Sequence, residues 1–139
     1  MADAMWMKIR EVNWGDYKSS SGDASGMPTI LKNLSSRKEA RAIRASHQLW
    51  TTLCGGGKVY SAVIPAIPLL LEIFSISAAS VQDGIVDVLI RCDNSELDSE
   101  WSADMSEDLN FVIAQSKDVL LMSKISDEIV AAKIADLCH

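Results

Sequence analysis

A chain of 139 residues, 48% hydrophobic and 23% charged, is long enough to bury a core as one domain and short for two. Thirteen basic against nineteen acidic side chains leave a formal charge of −6, which argues against a general phosphate-neutralising role on nucleic acid. Seven glycines and three prolines exclude a collagenous or low-complexity chain.

The opening Met1-Ala2-Asp3-Ala4-Met5 lacks the basic start and apolar run of a secretory leader. The longest apolar run, residues 62–71, is about half a membrane span and contains Pro65 and Pro68. A cytoplasmic protein with no membrane partner is therefore expected. Cys54, Cys92 and Cys138 are odd in number and widely spaced, a pattern unlike a disulfide framework or a zinc site. Each lies in an apolar context and reads as a small core hydrophobe.

Helical spacing dominates the chain, and strand-like alternation is nearly absent. Over residues 37–54, Ala40, Ile43, His47, Trp50 and Leu53 recur every three or four positions. Ser36-Arg37-Lys38-Glu39 reads as a capping box at the start of that helix, and Gly55-Gly56-Gly57 as a stop where positive φ costs little. Val63, Ile67, Leu70, Leu71 and Phe74 form the next stripe. Either its helix starts near Pro65 or Pro68, or a helix from Val59 is kinked there. Residues 80–92 carry Val81, Ile85, Val86, Leu89 and Ile90 on one side. Leu109, Val112, Ile113, Val119, Leu120 and Leu121 predict another helix, with a break near Ser116. Ser126-Asp127-Glu128 caps a last one bearing Ile129, Val130, Lys133, Ile134 and Leu137.

A shift of forty residues superposes Pro28 on Pro68, Ile30 on Leu70, Leu31 on Leu71, Leu34 on Phe74, Ala45 on Ile85, Leu49 on Leu89 and Trp50 on Ile90. One such period holds two helices and a turn, about the length of a HEAT or armadillo unit. Three units follow, at roughly 27–54, 65–92 and 107–138, within a single domain over 1–139. The fold class is all-α.

Trp14-x-x-Tyr17, Gly22-x-Ala24, Met27-Pro28-x-Ile30-Leu31-x-x-Leu34, Trp50-x-x-Leu53, Gly57-x-Val59-Tyr60 and Ile67-Pro68-Leu69-Leu70 resemble small bacterial HEAT-like repeat proteins. The resemblance implies a right-handed α-α superhelix of about three antiparallel helix pairs with a curved binding surface. Many proteins of that kind serve as immunity proteins that block a toxin by tight binding. The chain departs from the pattern in its last unit, where Ile129-Val130-Ala131 replaces the usual Val-Arg pair.

Site chemistry is sparse. Gly55-Gly56-Gly57-Lys58 lacks the first glycine and the final Ser or Thr of a phosphate loop and reads as a turn. His47 and His139 are the only histidines, too few for a zinc site, and His47 reads as a half-buried helix-face residue. No catalytic set emerges from spacing, so neither enzymatic activity nor a cofactor is expected. Arg37, Lys38, Arg41 and Arg44 read as the wet face of a helix.

Charge is unevenly spread. Residues 1–60 hold nine basic and five acidic side chains; residues 61–139 hold four and fourteen. Asp93, Glu96, Asp98, Glu100, Asp104, Glu107 and Asp108 fall in one stretch without Lys or Arg, and Trp101 sits among them. As a solvated loop the stretch needs no further role. As a docking surface its acids steer a basic partner and Trp101 anchors it. The expected function is a protein-binding module, an immunity protein occluding a basic, nuclease-like toxin domain. An adaptor of the same architecture is the alternative, and a helical-repeat lyase or DNA-repair enzyme a more distant one.

Overall fold

The computed structural model describes residues 2–20, 22–55, 58–94, 96–97, 103–123, 125 and 127–138, with side chains for all of these except 2–4, 94, 96–97 and 103–104. The described residues are mostly helical. Seven α-helices follow in order: α1 (Ala2–Glu11), α2 (Met27–Leu34), α3 (Glu39–Cys54), α4 (Val63–Ser75), α5 (Ala79–Asn94), α6 (Ala103–Met122) and α7 (Glu128–Leu137). A 3-10 turn at Trp14–Asp16 follows α1. None of these helices is long and apolar enough to cross a membrane.

Consecutive helices α2 and α3, α4 and α5, and α6 and α7 pack on each other. Across these pairs, α3 lies on α5 and α5 on α7, while α4 lies on α6 and α1 touches both α2 and α4. Helix α5 thus packs against three helices, and it buries Val81, Ile85, Val86, Val88, Leu89 and Cys92. Helix α6 packs along one side only. It buries the stripe Leu109, Ile113, Ser116 and Leu120, while Phe111, Leu121 and Met122 stay exposed. One core joins all seven helices.

The helix ends show what positions them. Helix α3 begins at Glu39, but the expected capping box does not form. Ser36 Oγ instead accepts the Lys38 N–H at 3.1 Å, and the Glu39 carboxylate takes the Ser80 hydroxyl at 2.5 Å, tying the start of α3 to the start of α5. At the other end, Gly55 is extended (φ −64°, ψ 142°) rather than left-handed. The last α3 carbonyls need external donors. The Ser20 N–H reaches Thr52 O at 2.9 Å and the Tyr60 N–H reaches Leu53 O at 3.0 Å, so the flanking loops finish the helix. Gly56 and Gly57 lie outside the described residues.

Helix α4 starts at Val63. Pro65 falls in its first turn, where a missing donor costs nothing, but Pro68 sits inside the helix and leaves the Ile64 carbonyl without its usual N–H. The offset of forty holds for α3 and α5, which are both sixteen residues long and start at Glu39 and Ala79. It does not align the prolines: Pro28 occupies the second position of α2 and Pro68 the sixth of α4. Helix α6 also runs unbroken through Ser116. That hydroxyl is fully buried and bonds Ile113 O one turn back at 2.6 Å, so it needs no break to be satisfied. Helix α7 is capped as expected, with Asp127 Oδ1 accepting the Val130 N–H at 3.0 Å.

Two short ladders connect the loops. An antiparallel pair, β1 (Lys18–Ser19) and β2 (Gly22–Asp23), turns back on itself, with Gly22 at φ +122°, a value L side chains rarely adopt. A parallel pair joins β3 (Lys58–Val59), before α4, to β4 (Glu96–Leu97), before α6. The alternation rule missed both, because two residues are too few to alternate.

Candidate functional site: a groove across α2, α3 and α5

The exposed side of the α3–α5 row carries two adjoining grooves. One, of about 580 Å³, is lined by Ser46, His47, Trp50 and Thr51 of α3 and by Gly84, Asp87, Ile90 and Arg91 of α5. The other, of about 550 Å³, runs between α2 and α3 past Thr29, Asn33, Arg44, His47, Gln48 and Thr51. His47 and Thr51 belong to both, so they form the ridge between the two. His47 is exposed rather than half-buried. Its position follows from the helix period: the exposed α3 residues Arg44, His47, Gln48 and Thr51 recur every three or four residues, opposite buried Ala42, Ala45, Leu49 and Leu53.

The floor of the first groove is set by Gly84. A Cβ there would lie 2.8 Å from Ser46 Cβ, so only glycine lets α5 approach α3 this closely. Two turns further along α5, the Arg91 guanidinium sits 4.3 Å from the centre of the Trp50 ring. That distance suits a cation–π contact, which strengthens as water is excluded. Trp50 also carries the one unusual polar group of the groove. Its indole nitrogen is buried and has no hydrogen-bond acceptor. Buried donors are nearly always paired, so this indole N–H is an exception among the side chains that line the groove.

Asp83, Asp87 and Arg91 stand at successive turns of α5, and the two carboxylates share one lysine from α7. Lys133 Nζ lies 2.6 Å from Asp83 Oδ1 and 2.9 Å from Asp87 Oδ1. These bonds, chiefly the one to Asp83, hold the Lys133 ammonium above its ordinary pKa despite the opposing effect of burial. The pairing joins α5 to α7 and leaves Arg44 and Arg91 as the strong cations lining the grooves.

The acidic stretch singled out in the sequence is only partly described. Asp98, Glu100 and Trp101 lie outside the described residues, as do the side chains of Glu96 and Asp104. Asp93 is exposed at the end of α5, two residues past Arg91, and pairs with Lys117 of α6 at 3.0 Å. Glu107 and Asp108 are exposed near the start of α6. Arg37, Lys38, Arg41 and Arg44 are exposed too, as expected of a wet face.

The sequence reading placed Trp50 on the helix face but not in a site. The hidden signal was its pairing in space with Arg91, since the two lie forty-one positions apart on different helices. Among the described residues no three His, Cys, Asp or Glu side chains cluster as metal ligands. Comparison with family models, with curated proteins and with solved structures returned no match.

Proposed function

We propose that this chain is a protein-binding module built as a HEAT-like superhelix of three antiparallel helix pairs. Its partner is a protein with a basic surface, specifically a bacterial toxin domain that it occludes as a cytoplasmic immunity protein. The order of helix contacts supports the architecture, because neighbouring pairs stack and α3, α5 and α7 form one row. The partner class rests on the acidic second half of the chain and on the resemblance of the repeat motifs to immunity proteins.

The observation that carries the binding role is the α3–α5 groove, where the Arg91 guanidinium covers the Trp50 ring and the Trp50 N–H is buried without an acceptor. Rigid aromatic and arginine side chains of this kind dominate the energetics of interfaces. A partner backbone carbonyl would satisfy the indole once Arg91 swings off the ring, while Asp93, Glu96, Asp98, Glu100, Asp104, Glu107 and Asp108 attract its basic side chains and Trp101 adds a second anchor.

Titration calorimetry against the purified product of the adjoining gene, where that gene encodes a basic toxin domain, tests the reading. Wild-type protein binds with an affinity that falls as salt rises. The triple variant Glu96→Lys, Asp98→Lys, Glu100→Lys binds at least tenfold more weakly and with a flatter salt dependence. Trp50→Ala weakens binding without changing that dependence. Unchanged binding in the charge-reversed variant removes the acidic stretch from the mechanism, and unchanged binding in Trp50→Ala removes the groove.

A further inference from the structure

The sequence reading treats the three cysteines as unrelated core residues, yet the fold brings two of them together. Cys54 ends α3 and Cys92 lies in the last turn of α5, and their sulfurs are 3.0 Å apart. Both side chains are buried, at 2% and 3% exposure, and both are free thiols. Cys138 stands apart, half-buried, with its sulfur directed to Lys117 O.

We propose that Cys54 and Cys92 form an intramolecular disulfide under oxidising conditions, a modification site that locks α3 to α5 beneath the groove. A disulfide bond is about 2.05 Å long, so the sulfurs must close by only about one ångström. A second contact fixes their placement independently. Ser46 meets Gly84 across the same two helices, and this pair is separated by 38 positions, as are Cys54 and Cys92. The helices therefore run in constant register from the glycine contact to the thiols. That register, together with the close approach at Gly84, leaves the sulfurs little freedom to separate.

The oxidant is a small hydroperoxide, hydrogen peroxide being the simplest. One thiol gives up its proton, its sulfur attacks a peroxide oxygen, and the O–O bond breaks to release water, leaving a sulfenic acid. The neighbouring sulfur attacks the sulfenic sulfur, the S–O bond breaks, and a second water leaves with that thiol's proton. Two thiols thus give two electrons to one peroxide, forming one S–S bond and two waters. Hydrogen bonding to Cys54 and burial hold the Cys92 thiol well above its ordinary pKa, so the first step is slow in the folded chain. The second is fast, because the resolving sulfur is already in contact. Selectivity comes from proximity, not from an activated thiolate.

The test is peroxide treatment of the purified full chain, followed by alkylation under denaturing conditions, intact mass and peptide mapping. The expected product is a monomer with a single alkyl group, on Cys138, and two mass units lighter than the chain plus that one group, with the Cys54 and Cys92 peptides linked. Dithiothreitol restores three alkylatable thiols. The Cys138→Ser variant behaves the same way, and the oxidised form melts several degrees above the reduced one. Cys92→Ala, checked for folding by circular dichroism, yields no lighter monomer. Three outcomes overturn the proposal: no loss of mass, oxygen adducts on Cys54 or Cys92 without a linked peptide, or dimers joined through Cys138 with the other two thiols alkylated. The wild-type measurement stands even if Cys92→Ala fails to fold.

Discussion

Gly84 and Ser46 meet across the α3–α5 interface with no space for another carbon: a Cβ on residue 84 would lie 2.8 Å from both Cβ and Oγ of the serine. The missing side chain is thus a packing requirement, imposed where helix propensity alone would favour alanine. Overpacking of this kind costs about 1–3 kcal/mol, against which alanine regains about 1 kcal/mol of helix propensity. Gly84→Ala is therefore destabilising by about 1 kcal/mol in urea unfolding. Ser46→Gly reopens the space, so the two substitutions together cost less than the sum of each alone. A higher urea midpoint for Gly84→Ala would show that the helices separate freely.

Lys133 holds Asp83 and Asp87 from the neighbouring helix, and all three side chains are partly exposed. Solvent screening limits what such a pair contributes, so Lys133→Met costs about 0.5–1 kcal/mol at low salt and less in 1 M salt. The pH dependence follows from the raised Lys133 pKa. Its stabilisation is complete below the ordinary value of 10.5 and is lost as pH rises through the higher folded value. The stability gap between wild type and variant stays constant from pH 7 to 10 and closes above that range. A gap that closed near neutral pH would contradict the pairing.

Cys92 makes the core sensitive to alkali by the same sign. In the unfolded chain its thiol ionises near 9.0, whereas in the folded chain the hydrogen bond with Cys54 and burial keep the proton on. Above pH 9 the unfolded state sheds a proton that the folded state retains, and stability falls as pH rises. Reduced wild-type protein loses stability between pH 8.5 and 10.5, while Cys92→Ala shows a shallower slope. Removing the buried sulfur itself costs about 1 kcal/mol at pH 7. Equal slopes for the two proteins, measured by urea midpoint against pH, would sink this account.

Asp127 caps α7 by accepting the Val130 N–H. Loss of such a cap costs about 1 kcal/mol, so Asp127→Ala lowers the urea midpoint, whereas Asp127→Asn keeps most of the bond and most of the stability. Hydrogen exchange locates the effect: the first amides of α7 lose protection in Asp127→Ala before those of α3 do.

Helices with a strict apolar period were readable from the chain alone. Those of α5 and α7 stand out because Ile85, Leu89 and Ile134 recur on one face, and burial on one face is what periodicity reports. In α3 the period was right but the face was not: Ala40 and His47 of the expected stripe are exposed, and Ala42, Ala45 and Leu49 are buried with Leu53. The Asp127 cap was readable because its bond is local. What failed was less local. Ser36 and Glu39 have the spacing of a capping box, but Glu39 is drawn away by Ser80 of another helix. Ser116 resembles a break until its hydroxyl is seen bonding its own helix. Helix α1 gave no expectation, although Ile9 is buried and accepts the Trp14 indole N–H at 2.8 Å. The groove was the least legible feature, since Trp50, Gly84 and Arg91 share no spacing rule and meet only through the α3–α5 register.

The small parallel ladder between Lys58–Val59 and Glu96–Leu97 has a mechanical consequence. It fastens the approach to α4 to the segment just past the end of α5, so these two turns open together. Parting α4 from α5 means peeling that ribbon as well as exposing Leu70 and Leu89, which joins the two events in a single cooperative opening. Main-chain amides near both turns should then exchange at one shared rate.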